Sequence, residues 1–327
     1  MRSLVIGKFY PPTNGHKYLI DTAIAESEKV YIIICEKKTE VPNGTLRLKW
    51  INEWYHNNKN VHIQLIEDIY NDDSNSQLWA KLTIEWLSFI PDCVFTSESY
   101  GDNFVKFLGN GCKHRLVDIN RNTIPISGTQ IRNDPLNHLD YLQYNVRSYY
   151  VMRIIIVGAE STGKTTLINK LSEMFKVTTI PEYGRIFAEN KPQNMNEWVW
   201  TTEEFVQIAN LQIQAEIQAT KNNKFIICDT DAFAASIWHQ RYVGTISEEV
   251  ERIYKNYSKS VNKQIYLLTT NDVPFVQDGY RDGEHIRDSM YDEFVKKLND
   301  EHKHYHILNG TYDERFNKAC EIIKNLI

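Results

Sequence analysis

The chain has 327 residues, with 42% hydrophobic and 24% charged side chains and a formal net charge of −5. That length suggests two domains at about 100–200 residues each, and the composition is that of a folded chain with enough apolar mass for two cores. A mildly acidic balance argues against nucleic-acid coating, which needs a basic footprint. No run approaches the roughly 18 apolar residues of a membrane span, and Met1–Gly7 turns polar too quickly for a signal peptide. Five scattered cysteines without a C-x-x-C pair fit reduced thiols in a cytoplasmic protein, with Cys35, Cys93 and Cys228 as buried strand residues.

Short apolar runs alternate with amphipathic stretches from end to end. The runs Leu4–Ile6, Val30–Cys35, Val61–Ile66, Cys93–Phe95 and Arg115–Ile119 predict strands, and His16–Glu26, Thr45–Tyr55 and Ser76–Phe89 predict helices between them. A second series begins at Arg153–Val157. Its further strands are Val177–Ile180, Phe225–Cys228, Gln264–Leu268 and His304–Ile307. Its helices are Lys164–Phe175, Thr202–Ala219, Asp231–Arg241, Arg287–Asn299 and Asp313–Leu326. Such alternation predicts an α/β fold with two parallel sheets, each covered by helices on both faces. No Gly/Ser-rich linker separates the halves, so Leu136–Tyr150 is expected to be a helical connector, with domains at 1–147 and 148–327.

In the first half, Gly7-Lys8-Phe9-Tyr10-Pro11-Pro12-Thr13-Asn14-Gly15-His16 follows the first strand and runs into a helix. Gly15 permits close backbone approach, and His16 sets an imidazole beside the free N–H groups of the helix start, an arrangement suited to a phosphate chain. The alternative is that His16 only caps its helix. Ile126-Ser127-Gly128-Thr129-Gln130-Ile131-Arg132 follows the last strand of this half and makes a second anion site from two hydroxyls, a glycine and an arginine at a helix start.

In the second half, Gly158-Ala159-Glu160-Ser161-Thr162-Gly163-Lys164-Thr165 matches G-x-x-x-x-G-K-[ST] between a strand and a helix, a phosphate-binding P-loop. Lys164 is expected to reach the β- and γ-phosphates and the Thr165 hydroxyl to ligate Mg²⁺. Glu182 and Asp229 end the second and third strands of this half, at the sheet edge where ligands bind in open α/β folds. One carboxylate here is suited to accept a substrate hydroxyl proton and another to hold Mg²⁺ through water, with Asp229 a candidate for the metal and the choice of base left open; the alternative for Asp229 or Asp231 is a helix N-cap. Gln277–Arg287 reads either as a lid carrying Arg281 and Arg287 to a transferred phosphoryl group or as a solvated loop.

The paired first-half motifs resemble those of the nucleotidyltransferase superfamily. Followed by a P-loop kinase domain, the chain resembles the bifunctional nicotinamide-nucleotide adenylyltransferase/ribosylnicotinamide kinase family (NadR). Ser97–Gly101, Val117–Arg121 and Pro181–Arg185 look like segments of that family too. The resemblance implies a Rossmann-like nucleotidyltransferase sheet and a P-loop kinase sheet. It implies phosphorylation of ribosylnicotinamide by MgATP in the second domain and adenylyl transfer from ATP to nicotinamide mononucleotide in the first, giving NAD and pyrophosphate. It assigns Gly7, Lys8, Phe9, Thr13, His16, Ser127, Thr129 and Arg132 to the first ATP, with His16 and Arg132 acting in catalysis. Gly158, Glu160, Ser161, Thr162, Gly163, Lys164, Thr165 and Thr166 are assigned to the second ATP, and Lys164, Glu182, Asp229 and Arg281 to phosphoryl transfer.

Trp79, Trp86 and Tyr100 are candidates for the nicotinamide pocket of the first domain, and Tyr183, Arg185, Trp198 and Trp200 for that of the second; core packing is the alternative for each tryptophan. The implied partners are small molecules, with no nucleic acid or membrane, and the oligomeric state stays open. Two departures matter. The family motif usually carries histidine at the position of Thr13, where pantetheine-phosphate adenylyltransferases carry threonine. The first strand begins so close to Met1 that no room is expected for the DNA-binding helix-turn-helix of some members. The rival readings are a coenzyme A synthase arrangement and a nucleotide-sensing regulator.

Overall fold

The structure, a computed structural model, describes residues 1–70, 72–192, 198–277, 279, 280 and 283–327. They fall into two compact units, Met1–Val146 and Arg147–Ile327. The first contains β1 (Arg2–Gly7), α1 (Asn14–Glu26), β2 (Lys29–Glu36), α2 (Gly44–Tyr55), β3 (Val61–Glu67), α3 (Ser76–Leu87), β4 (Cys93–Thr96), α4 (Gly101–Leu108), β5 (Lys113–Leu116) and α5 (Gly128–Asn133). Its strands pair in parallel in the order β3-β2-β1-β4-β5.

Alternate residues of each strand point to opposite faces, and both faces are apolar. Val5, Ile32, Ile34 and Phe95 pack under Leu19, Ile20 and Ala23 of α1 and Ile51 of α2. Leu4, Ile33, Cys35 and Val94 pack under Ala80 of α3 and Phe104 and Leu108 of α4. The helices after β1 and β4 therefore cover opposite faces. That divergence opens a crevice at the C-terminal ends of those two neighbouring strands.

α6 (Tyr144–Tyr150) carries the chain into the second unit. There follow β6 (Met152–Val157), α7 (Lys164–Phe175), β7 (Thr179–Ile180), α8 (Tyr183–Glu189), α9 (Thr202–Ala219), β8 (Phe225–Asp229), α10 (Ala232–Val243), α11 (Glu248–Ser258), β9 (Gln264–Thr269), α12 (Arg287–Asp300), β10 (Tyr305–Leu308) and α13 (Tyr312–Lys324). The parallel order is β10-β9-β6-β8-β7. Ile154, Ile156, Ile227 and Leu267 face α7 and α13, while Tyr266 meets Phe233 of α10 on the other side. The second crevice opens where β6 and β8 send their helices to opposite faces. Arg153, wholly buried in β6, donates to Ser148 Oγ at 3.1 Å and to the Tyr257 hydroxyl at 3.0 Å; that hydroxyl in turn donates to Glu216 at 2.9 Å. A buried guanidinium persists only with such a set of partners.

The two-sheet α/β fold agrees with the expectation from the sequence, with local differences. Strand β5 ends at Leu116, with Val117 N–H making a last bond to the Thr96 carbonyl at 2.8 Å before Asp118 turns into the left-handed region at φ 52°, so the expected strand does not run on to Ile119. β7 pairs over only two residues, following the left-handed Lys176. The helices Gly101–Leu108, Tyr183–Glu189 and Glu248–Ser258 add to those expected; the last buries Val250, Tyr254 and Tyr257, one stripe at helical spacing. Among the described residues no helix is long and apolar enough to cross a membrane.

Arg315 of α13, 2% exposed, donates to the carbonyls of Thr162 (2.7 Å), Gly310 (2.9 Å) and Thr270 (3.2 Å) and pairs with the Asp272 carboxylate. It ties the turn before α7 to the loops after β9 and β10. Arg315→Met is expected to remove about 2–3 kcal/mol from the Arg147–Ile327 unit by stranding these acceptors, with the Met1–Val146 unit unchanged, measured by hydrogen exchange resolved by unit. A loss within about 0.5 kcal/mol, as at an ordinary surface position, would contradict this role.

Candidate active sites

The first crevice is a cavity of about 580 Å³. Gly7, Lys8, Phe9, Thr13, His16, Trp79, Tyr100, Ser127, Thr129 and Arg132 all line it, so motifs more than 100 residues apart in sequence meet at one sheet edge. Thr13 is the N-cap of α1. Its Oγ1 accepts from the His16 N–H at 3.3 Å, while its own N–H donates to His16 Nδ1 at 3.0 Å. A backbone N–H can only donate, so Nδ1 is the acceptor and the ring proton sits on Nε2. Burial, together with the nearby Arg121 charge, pushes the imidazole down to about 4. His16 therefore serves as cap and as a neutral N–H donor at once. Thr13, 2% exposed, has its hydroxyl engaged in this cap, 2.9 Å from Nδ1, and orients the imidazole.

Ser127 is likewise the N-cap of α5, its hydroxyl donating to Gln130 Oε1 at 2.8 Å and accepting from Gln130 N–H at 3.2 Å. Arg132 donates to the Tyr10 carbonyl and, at 3.0 Å, to Thr129 Oγ1; its guanidinium lies 4.4 Å from the Tyr10 ring centre. A Cβ on Gly128 would come within 2.5 Å of the Tyr10 carbonyl oxygen, so only glycine lets α5 approach this closely. Lys8 is neutralised by Asp73 at 2.7 Å and Glu40 at 3.9 Å, a pairing that nothing in the motif announced. Trp79 lines the cavity with its indole N–H on the Asp72 carbonyl at 2.8 Å. Trp86 does not line it. Its ring, 6.1 Å from that of Trp79, packs against the core beneath, one helical repeat behind the cavity wall.

The second cavity, about 570 Å³, is lined by Glu160, Ser161, Thr162, Gly163, Lys164, Thr165, Thr166, Glu182, Arg185, Trp198, Trp200 and Asp229. Gly158 and Gly163 adopt φ of 145° and 82°. A Cβ there would meet the Thr269 hydroxyl at 2.4 Å and the Tyr312 ring at 2.5 Å, so both glycines answer a packing demand as well as a backbone one. Thr162 Oγ1 donates to Ala159 O at 2.9 Å and lies 2.7 Å from Thr269 Oγ1. Glu160 accepts from the Tyr242 hydroxyl at 3.2 Å and the Gly283 N–H at 3.0 Å, and Ser161 Oγ accepts from Val276 N–H at 2.7 Å. These two loop residues thus grip the segment after β9.

Lys164 folds back on its loop, donating to the carbonyls of Gly158 (3.1 Å) and Ala159 (2.9 Å). The Thr165 hydroxyl donates to Asp229 Oδ2 at 2.9 Å, and Asp229 Oδ1 is buried with no hydrogen-bond partner among the described residues. Burial raises Asp229 above the usual carboxylate range against the pull of Lys164 and Thr165. Burial also lifts Glu182 to about 7, with Lys164 opposing and Asp229 adding to the rise.

Around these charges stands an aromatic wall. Trp198 and Trp200 lie 6.2 Å apart, and Phe205, Trp238, Tyr242 and Tyr280 complete it. Trp238 and Tyr242 are one helical turn apart on α10, a spacing that would have flagged them; Tyr280 sits in a loop with no periodic signal. Arg185 lies 5.0 Å from the Tyr280 ring centre and bonds Glu189 at 2.9 Å. Tyr183 does not line the cavity, because as the first residue of α8 it points away while Glu182 and Arg185 face in. Asp231 is the N-cap of α10, accepting from Ala234 N–H at 2.9 Å and the Tyr266 hydroxyl at 2.7 Å. Arg287 is absent from the wall; it donates to Val273 O at 2.9 Å and Ser161 O at 3.4 Å, an anchoring role rather than a phosphoryl contact. Arg281 lies outside the described residues.

The His16 arrangement has a measurable signature. Its ring nitrogens should keep the neutral Nε2–H pattern from pH 8 to about 5.5 and titrate near 4, read by ¹⁵N shifts of the imidazole. Because the folded value lies below the ordinary 6.5, the unfolded chain binds the proton first, and stability is lost as pH falls from 6.5 towards 4. Protonation above pH 6 would contradict the assigned tautomer.

A family model described as the AAA domain matches residues 153–315, and one described as the citrate lyase ligase C-terminal domain matches residues 2–70. The trifunctional NAD biosynthesis/regulator protein NadR of Salmonella typhimurium is 28% identical, aligned over 99% of this chain and 83% of its own length. NadR of Escherichia coli is 26% identical over the same shares. Two solved structures share the fold: a NadR protein in complex with NR, at 19% identity with a TM-score of 0.71, and a NadR protein in complex with NAD and AMP-PNP, at 18% with a TM-score of 0.69. Each covers 99% of this chain and 95% of the solved one. With curated relatives aligned over 99% of its length and its fold shared with two solved NadR structures, the chain is similar to NadR proteins from end to end.

Proposed function

We infer that the chain makes NAD in two steps: residues 148–327 phosphorylate ribosylnicotinamide, and residues 1–147 adenylylate the nicotinamide mononucleotide produced. The observation that carries this reading is the second cavity, where Lys164 and the Thr165–Asp229 pair face Glu182 across a wall of aromatic rings. That wall suits a flat cationic base, and the NadR relatives supply its identity. Glu182, held near 7, takes the proton of the ribose 5′-hydroxyl as that oxygen attacks the γ-phosphorus and ADP leaves. Lys164 exchanges its loop carbonyls for the phosphate oxygens. Magnesium fits beside Thr165, where Asp229 Oδ1 is a buried oxygen without a partner among the described residues; bound there, it would neutralise charge on the β- and γ-oxygens.

In the first cavity a phosphate oxygen of the mononucleotide attacks the α-phosphorus of ATP and pyrophosphate leaves. His16 offers its Nε2–H, and Arg132, once it releases the Tyr10 carbonyl, offers charge to the growing negative oxygens. Such a reaction needs positioning and charge stabilisation and no covalent intermediate.

Product analysis after incubation with MgATP and ribosylnicotinamide, nicotinamide mononucleotide or phosphopantetheine tests the reading; turnover of phosphopantetheine alone would overturn it. Lys164→Ala should abolish mononucleotide formation and spare NAD formation from added mononucleotide. His16→Ala should do the reverse, by about 10²–10³-fold, and loss of both activities in either folded variant would sink the two-site assignment. For the kinase reaction, a base with a free-enzyme value near 7 must be ionised to act, so kcat/KM should fall about tenfold per pH unit below 7. Glu182→Gln should lose both that limb and most of the rate; a variant within threefold of the parent would remove Glu182 from this role.

A further inference from the structure

The first cavity contains a cation, Arg121, that the reaction as derived leaves unused and that no described residue neutralises. Arg121 lines it, yet its guanidinium makes no hydrogen bond or ion pair with any described residue, unlike Lys8, neutralised by Asp73 and Glu40, and Arg132, held by Tyr10 and Thr129. The loop that carries it is built rather than slack. Arg121 itself sits in the left-handed region at φ 51°, its N–H bonded to Asp118 O at 2.8 Å. The Asp118 carboxylate accepts from the N–H groups of Thr123 at 3.0 Å and Ile124 at 3.1 Å. Ile124 in turn rests against Gly15, where a Cβ would contact its side chain at 3.7 Å. The turn thus places Arg121 near the start of α1 and His16, on the wall of the cavity.

We propose that Arg121 is a ligand of the triphosphate in the first cavity, holding the β- and γ-phosphates that leave as pyrophosphate. The proposal rests on the adenylyl-transfer reading and adds a residue to it. The chemistry asks for such a group. His16 supplies an N–H without a charge, because its Nδ1 is an acceptor, and a departing pyrophosphate gains negative charge that a guanidinium fork matches with two parallel N–H bonds. The Arg121 charge adds to the depression of the His16 value that burial causes.

The test uses the full chain carrying Lys164→Ala, so that ATP binds only in the first cavity. Titration calorimetry with ATP should show affinity about 10- to 100-fold weaker when Arg121→Ala is added. Arg121→Lys should recover part of it, since lysine restores charge but not the fork. In otherwise unaltered protein, Arg121→Ala should raise KM for pyrophosphate in the reverse direction by a similar factor and leave KM for nicotinamide mononucleotide unchanged. ATP affinity and pyrophosphate KM both within twofold of the parent would overturn the proposal, as would a change confined to the mononucleotide KM. If the parent protein forms no NAD yet Arg121→Ala still weakens ATP binding, the phosphate assignment stands and the adenylyl-transfer reading falls.

Discussion

A parallel sheet covered by helices on both faces leaves open only its two ends. In both units of this chain the faces are filled by Ile, Val, Leu and Phe from alternate strand positions, so a polar or charged side chain near the sheet finds water and partners chiefly beyond the last strand residue. Gly7, Thr96, Val157 and Asp229 all stand at such ends. The phosphate-binding candidates of the first-strand motif and the P-loop lie within a few residues of one of these ends or on the helix that follows, while Arg121, Ser127, Thr129 and Arg132 come from the longer segment after β5. The strand orders then decide which ends become a cavity, because only where consecutive helices diverge to opposite faces is there room for a ligand.

At these edges, helix capping and ligand binding compete for the same atoms, and the chain resolves the competition differently at each place. Thr13 and Ser127 engage their hydroxyls in capping boxes. The Thr13 cap has a chemical product, since it dictates which imidazole nitrogen of His16 carries the proton. Asp231 is consumed by the α10 cap and Tyr266, whereas Asp229, two residues earlier, keeps a buried oxygen unpartnered among the described residues. A cap engages an oxygen with the helix backbone, whereas an orphaned buried oxygen is costly unless a ligand uses it.

The second cavity shows how burial and opposed charges share the work of tuning. Asp229 and Glu182 are both raised by desolvation, and Lys164 restrains both. With Lys164 folded on the loop carbonyls, its charge lies among the carboxylates; transferred to phosphate, the balance changes with the ligand. The aromatic rings lower the local polarity, which strengthens each of these interactions relative to water.

Much of this was legible in the amino-acid order. Strand-helix alternation predicted both sheets, because the periods of 2 and 3.6 are local properties of the backbone. The P-loop and the two first-half motifs marked their own positions, because phosphate binding by a strand-to-helix turn needs glycine and hydroxyl residues at fixed short spacings. What the order of residues left undecided was every choice set by contacts distant in sequence. Whether Trp79 or Trp86 faces the cavity, whether Asp229 or Asp231 caps a helix, and whether Arg287 reaches a phosphate or the carbonyl of Val273 are matters of direction. Lys8 is neutralised by an aspartate 65 positions away, and the second aromatic wall draws on α9, α10 and the loop bearing Tyr280. Local sequence determines which element forms and which residue types it offers. Tertiary packing alone decides which of them share a cavity, because burial, charge pairing and tautomer depend on neighbours that the chain brings together only once it has folded.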